Sequence, residues 1–126
     1  MGYTRYWDIK SDLDDFRFLK FKEICNQIVE LFDIPLDDII INDNIVRFNG
    51  VDDNAHETFV FSKKSGFNFC KTQRKPYDDV VCACLLTAMD IFGSDISFSS
   101  DDDNDDNRIK ENLKLLIRDR KLNNIL

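Results

Sequence analysis

The chain has 126 residues, enough for one domain with one core, and carries 24 Asp and Glu against 17 Lys and Arg, a formal charge of −7. A hydrophobic content of 43% with eleven Phe excludes a wholly disordered, collagen-like or disulfide-scaffold chain. The acidic balance argues against a general grip on nucleic-acid phosphates or anionic membranes and leaves room only for a small basic site.

No signal-like apolar segment is present and no stretch approaches the ~18 apolar residues of a membrane span. This predicts an intracellular, cytoplasmic protein with no membrane partner. The four cysteines, Cys25, Cys70, Cys82 and Cys84, are then expected to stay reduced as small buried hydrophobes. No spacing among them, or with the sole histidine, His56, fits a zinc template, so neither metal nor cofactor is expected.

Residues 3–9, aromatic and β-branched, predict a first strand with Tyr3, Arg5 and Trp7 on one face and Thr4, Tyr6 and Asp8 on the other. Ser11 and Asp12 offer caps for a helix on which Phe18, Phe21, Ile24, Cys25, Ile28, Leu31 and Phe32 recur at three and four, ending before Pro35. Two isoleucine-rich runs, 39–41 and 45–48, predict a hairpin around Asn42-Asp43-Asn44. Residues 57–62 and 67–72 alternate around Lys63-Lys64-Ser65-Gly66, which predicts a second antiparallel hairpin. Phe59 and Phe61 would share a face of its first strand, Phe67 and Phe69 a face of its second.

Pro76, Asp78 and Asp79 suit the opening of a helix. Residues 80–89 are apolar almost all round, so this is the central buried helix, stopped by Gly93. A short strand follows at 95–99, then a polar tract whose acidic part, 101–107, reads as a loop. Ile109, Leu113, Leu116 and Ile117 trace a last amphipathic helix, and residues 123–126 are expected to fray. The order predicts a single α+β domain over 1–126: a mainly antiparallel sheet of about five to six strands with about three helices packed on it.

Three groups of residues have the types that chemistry needs. The run Asp101, Asp102, Asp103, Asn104, Asp105, Asp106 supplies hard oxygen ligands, but no register combines the glycine and the glutamate that a calcium loop requires. It is expected to be a solvated loop. A second group concentrates Lys71, Arg74 and Lys75 where a strand hands over to a helix. Backbone N–H groups at a helix start attract anions, and arginine adds a planar two-bond fork for phosphate or carboxylate. Lys71, Thr72, Arg74, Lys75 and Tyr77, with His56 and Arg5 as companions, are therefore the candidate ligand residues for an anionic small molecule or a phosphorylated or acidic partner. The third group is His56 with Cys70, which as a dyad would serve a hydrolase or transferase. Neither an orienting third residue nor a glycine-rich phosphate loop accompanies it. A structural or host-interaction protein without a small-molecule site is the remaining alternative. Tyr3, Tyr6 and Trp7 have the chemistry to stack on bases, although packing accounts for such residues more often.

The blocks formed by residues 1–7, Phe48-Asn49-Gly50, residues 55–59 and residues 69–78 resemble those of a group of small proteins of uncharacterised function from bacteria, phages and large DNA viruses. Those proteins begin Met-Gly-Tyr-Thr-His-Tyr-Trp and carry a Phe-Cys-Lys-Thr-x-Arg-Lys-Pro-Tyr-Asp motif. The likeness extends to about residue 100, with Arg5 standing where the group has histidine. It implies a shared architecture with the activity unassigned. The Asp-, Asn- and Ile-rich composition is that of A+T-rich coding, and together with the viral members it points to an accessory protein of a large DNA virus.

Overall fold

The computed structural model describes residues 3–102 and 106–120. They form β1 (Thr4–Ile9), α1 (Asp15–Leu31), β2 (Asp37–Ile41), β3 (Ile45–Asn49), β4 (Phe59–Ser62), β5 (Gly66–Lys71), α2 (Asp78–Phe92), β6 (Ile96–Ser100) and α3 (Asp106–Arg120), with short 3-10 turns at Asp52–Asn54 and Gly93–Asp95. The class is the expected α+β. The expected single sheet is corrected: the strands divide into two antiparallel three-stranded sheets, ordered β5-β1-β6 and β2-β3-β4.

The reason is where β4 and β5 find their partners. They do not form the hairpin that their alternation suggested. β4 pairs with β3, Phe61 opposite Val46 and Phe59 opposite Phe48, and β5 pairs with β1, Arg5 opposite Cys70 and Trp7 opposite Asn68. The link between them is tied elsewhere: the Lys63 carbonyl accepts from the Leu13 amide at 2.8 Å and the Ser65 amide donates to Asp12 Oδ1 at 2.8 Å. Those bonds carry the chain from one sheet to the other along the segment that precedes α1. Asp12, thus engaged, does not cap the helix. Asp14 does, accepting from the Arg17 amide at 2.9 Å.

The core is aromatic. Trp7, Phe18, Phe21, Phe48, Phe59, Phe61 and Phe92 are each at most 2% exposed. Phe61 lies at their centre, its ring centroid 4.8 Å from that of Phe21, 6.1 Å from Trp7 and 6.4 Å from Phe92. Against them packs α2, buried at Val80 through Leu85 and again at Thr87, Ala88 and Phe92, the central helix that the apolar run predicted. It ends at Gly93, whose φ of +55° is natural for glycine and strained for other residues.

The polar tract is shorter than expected, since β6 runs through Ser100 and α3 opens at Asp106. Ile109 and Leu113 are buried under that helix. Asp103, Asn104, Asp105, the side chains of Leu116 and Ile117 and residues 123–126 lie outside the described residues. None of the described helices is long and apolar enough to cross a membrane.

Candidate functional site

The four motif blocks meet at the junction between β5 and α2. Asn49, at the end of β3, uses its whole amide: Oδ1 accepts from the Gly50 and His56 amides at 2.7 and 3.1 Å, and Nδ2 donates to the His56 carbonyl and Thr58 Oγ1 at 3.0 and 3.1 Å. Gly50 is needed for close approach, because a Cβ there would lie 2.0 Å from the Asn54 carbonyl oxygen and 3.1 Å from the Tyr77 ring. The loop so folded brings His56 and Glu57 to the end of β5. Glu57 Oε1 accepts from the Lys71 amide at 3.0 Å, and His56 Nδ1 is 2.6 Å from the Lys71 carbonyl oxygen. The Tyr77 hydroxyl and the Cys70 thiol both donate to the Glu57 carbonyl, the thiol at 3.4 Å.

Beyond this clamp the chain turns through Thr72 into α2. The Thr72 and Gln73 amides both reach the Tyr3 carbonyl, and the Lys75 and Asp78 amides close successive turns on Thr72 and Lys75 at 3.0 and 2.8 Å. Gln73 and Arg74 adopt positive φ, 55° and 54°, in succession. Two left-handed non-glycine residues side by side are costly and persist only where the surroundings dictate them.

Those surroundings are a buried ion cluster. The Arg5 side chain is fully buried. Its Nε and Nη2 donate to the two Asp78 oxygens at 3.0 and 2.8 Å, and its Nη1 donates to Ser100 Oγ at 2.8 Å and to Asp106 Oδ1. Thr72 Oγ1 adds a third bond to Asp78, 2.6 Å long. Burial opposes the Arg5 charge, but the bonds to Asp78 and Asp106 outweigh it and hold the guanidinium above its ordinary pKa. The Asp78 carboxylate, at the start of α2, takes its bonds from the Arg5 and Thr72 side chains, and the amides that open the helix donate to the Lys75, Pro76 and Tyr77 carbonyls.

The seven candidate ligand residues therefore divide. Arg5, Thr72 and Tyr77 are buried and anchor the loop, while His56, Lys71 and Arg74 are exposed and Lys75 is half-buried. The Arg74 guanidinium carbon lies over the Tyr3 ring, 4.1 Å from its centroid, and the group pairs with Asp102 at 3.1 Å. Among the described residues neither Lys71 nor Lys75 is paired with a carboxylate.

His56 and Cys70, the candidate dyad, are each bonded to backbone. Burial, helped by the Glu57 charge, pushes the Cys70 thiol up to about 12, so the sulfur is a neutral thiol near pH 7. Asn49, Gly50 and Ser100 had not been singled out as site residues, Glu57 had been noted only beside His56, and Asp106 only within the acidic run. Asn49 and Gly50 stood within a motif block, whereas the part played by Ser100 and Asp106 has no local signal. No group of three or more His, Cys, Asp or Glu among the described residues is disposed to hold a metal ion.

The chain matches no protein-family model, no curated protein and no solved structure. The geometry is therefore what bears on function.

Proposed function

We propose that the protein is a binding module, an accessory protein rather than an enzyme, that takes a phosphate- or carboxylate-bearing ligand or partner segment at the loop between β5 and α2. The observation that carries this reading is the division of labour within the loop. Its buried side chains, Thr72 and Tyr77, fix the turn, and its exposed or half-buried ones include the cations Lys71, Arg74 and Lys75, of which Lys71 and Lys75 have no carboxylate partner among the described residues of a chain of charge −7. A turn whose backbone is already fixed spares the ordering of the loop on meeting an anion and leaves only the side-chain rotamers to be ordered. Arg74, held over Tyr3, is paired with Asp102 at the surface, and a ligand anion there would exchange that solvent-exposed pair for its own. The Cys70 thiol is raised by burial and donates to the Glu57 carbonyl, which favours the binding reading over the hydrolase or transferase alternative.

Calorimetric titration with inorganic phosphate, nucleotides, sugar phosphates and phosphopeptides tests the proposal. Charge-assisted bonds contribute about 1.5–3 kcal/mol each, so Arg74→Ala should weaken the bound member of the panel about tenfold or more. Arg74→Lys should weaken it less, because charge remains and the fork is lost. If neither substitution changes any affinity, the loop is a structural turn.

A further inference from the structure

A carboxylate of the chain itself already stands on the arginine of the loop. β6 ends at Ser100, opposite Arg5 in the register, and the next two residues are latched to the start of β1. The Asp101 amide donates to the Thr4 carbonyl at 3.1 Å, and the Asp101 carboxylate accepts from the Thr4 amide at 3.0 Å and from the Tyr6 hydroxyl at 2.8 Å. The Tyr3 hydroxyl donates to the Asp102 carbonyl oxygen. From that position the Asp102 side chain reaches Arg74, Oδ2 to Nη2, at 3.1 Å. Tyr3 serves both partners: its hydroxyl holds the Asp102 backbone, and its ring lies beneath the Arg74 guanidinium.

We infer that Asp102 is a built-in competitor for the anion site, an internal carboxylate that occupies Arg74 in the free protein and gives way when a phosphate- or carboxylate-bearing ligand binds there. The inference rests on the anion reading of the loop and supplies its regulation. The place of Asp102 is set independently of Arg74, because the four bonds that latch residues 101–102 all run to β1 or to Tyr3 just before it. The Asp102 group is a carboxylate, so it offers an arginine fork the same oxygen acceptors as the ligand would. Being tethered, it meets Arg74 at an effective concentration against which a free anion must compete. The pair is also not part of what holds the fold. Its side chains are 45% and 44% exposed, and exposed pairs contribute little to stability. Asp106, further along the chain, does the structural work instead, with its carboxylate on the buried Arg5.

The competitor is weak by construction. An exposed pair holds its cation only part of the time, and the fraction of Arg74 left open sets the apparent affinity, so the carboxylate weakens ligand binding by about two- to sixfold. Lys71 and Lys75 have no carboxylate partner among the described residues, so Asp102 governs the arginine contact alone. Whatever draws residues 101–102 off the start of β1 frees Arg74 and tightens the site by that factor.

The test is an amide chemical-shift titration of the full chain with inorganic phosphate at constant ionic strength, in the wild type, Asp102→Asn and Asp43→Asn. Asparagine keeps the shape of the side chain and the carbonyl that Tyr3 holds, so Asp102→Asn should keep the wild-type circular dichroism and melting temperature. Asp43 precedes β3, at the opposite end of that strand from Asn49, and its replacement removes the same charge away from the loop. Phosphate should bind about two- to sixfold more tightly to Asp102→Asn and with unchanged affinity to Asp43→Asn. The gain should vanish when Asp102→Asn is made in an Arg74→Ala background, because the competitor acts through that arginine. Equal affinity in the wild type and Asp102→Asn overturns the inference, as does weaker binding in the variant. An equal gain in Asp43→Asn, or a full gain without Arg74, overturns it too, since net charge alone would then be the cause. Failure of the loop reading looks different. Phosphate binding that Arg74→Ala weakens and Asp102→Asn leaves alone sustains the loop and refutes the competitor, whereas no shift at residues 71–79 in either protein refutes both.

Discussion

Asp78→Asn tests the buried cluster that shapes the loop. The wild-type carboxylate accepts two bonds from Arg5 and one from Thr72, and its side chain is 7% exposed beside an arginine at 0%. Removing one member of such a pair leaves the other charge buried and uncompensated, a loss of about 3–5 kcal/mol. Asp106 stays beside Arg5, so the lower half of that range applies. An unfolding entropy of about 2.1 cal/mol/K per residue gives roughly 0.26 kcal/mol/K for this length. The melting temperature should then fall by about 10–15 °C, read by calorimetry and checked by urea unfolding. Asp43→Asn, which breaks the surface pair with Lys22 at 3.0 Å, is the control and should cost under about 1 kcal/mol. Replacing the whole charged set, Arg5→Met with Asp78→Leu and Asp106→Asn, should recover much of the loss, because no charge of the cluster is then left buried. A cost for Asp78→Asn no larger than that of the control would refute the argument that this cluster is desolvated and holds the turn.

Gly50→Ala should destabilise by about 1–3 kcal/mol, the usual cost of forcing an extra group into a packed site, since the new methyl meets the Asn54 carbonyl and Tyr77; thermal melting reads it. Phe61→Ala should cost about 3–5 kcal/mol in urea unfolding, because it removes the ring around which Trp7, Phe18, Phe21 and Phe92 are arranged. Cys70 should resist iodoacetamide at pH 8 in the folded chain and react once the chain is unfolded, its thiol being held at about 12 by burial. The carboxyls of Asp12 and Asp14 are held below the usual value by hydrogen bonds to the Ser65 and Arg17 amides. A depressed folded value adds stability above the unfolded pKa, near 3.8, and that stability is lost as pH falls through the folded value. Asp12→Asn with Asp14→Asn should therefore flatten the acid limb of a stability-against-pH curve measured by urea unfolding and leave the slope near pH 7 unchanged.

Which of these features could be read in the sequence follows from the range over which each is determined. The helix of residues 80–89 was legible because an apolar run of that length must be covered on all sides, and Gly93 marks its end locally. β4 and β5 were legible as strands and not as partners: alternation is a property of one strand, whereas pairing is decided by whichever strand competes best. Here β1 takes β5 from more than fifty residues away. Phe59 and Phe61 repeat with the same period as Phe67 and Phe69, yet the first pair is in the core and the second in water. Period shows that two residues share a face, and only the sheet's neighbours decide which face is covered. Arg5 was read as a companion to an external anion because its charge was visible. Its partners Asp78, Ser100 and Asp106 are 73, 95 and 101 residues away, so no local pattern could announce that the anion is internal. Thr72 and Tyr77 were found for their place in the motif and turn out to hold the loop from inside.

The proposal that outward cations of a rigid turn receive an anion is tested most directly by amide chemical-shift mapping of the full chain during titration with inorganic phosphate and then with a nucleotide. The account predicts saturable shifts confined to the amides of residues 71–79 and of His56 and Glu57, reduced in Arg74→Ala while the rest of the spectrum stays in place. Shifts that saturate elsewhere on the molecule, or none at these amides with any phosphate-bearing ligand, would contradict it.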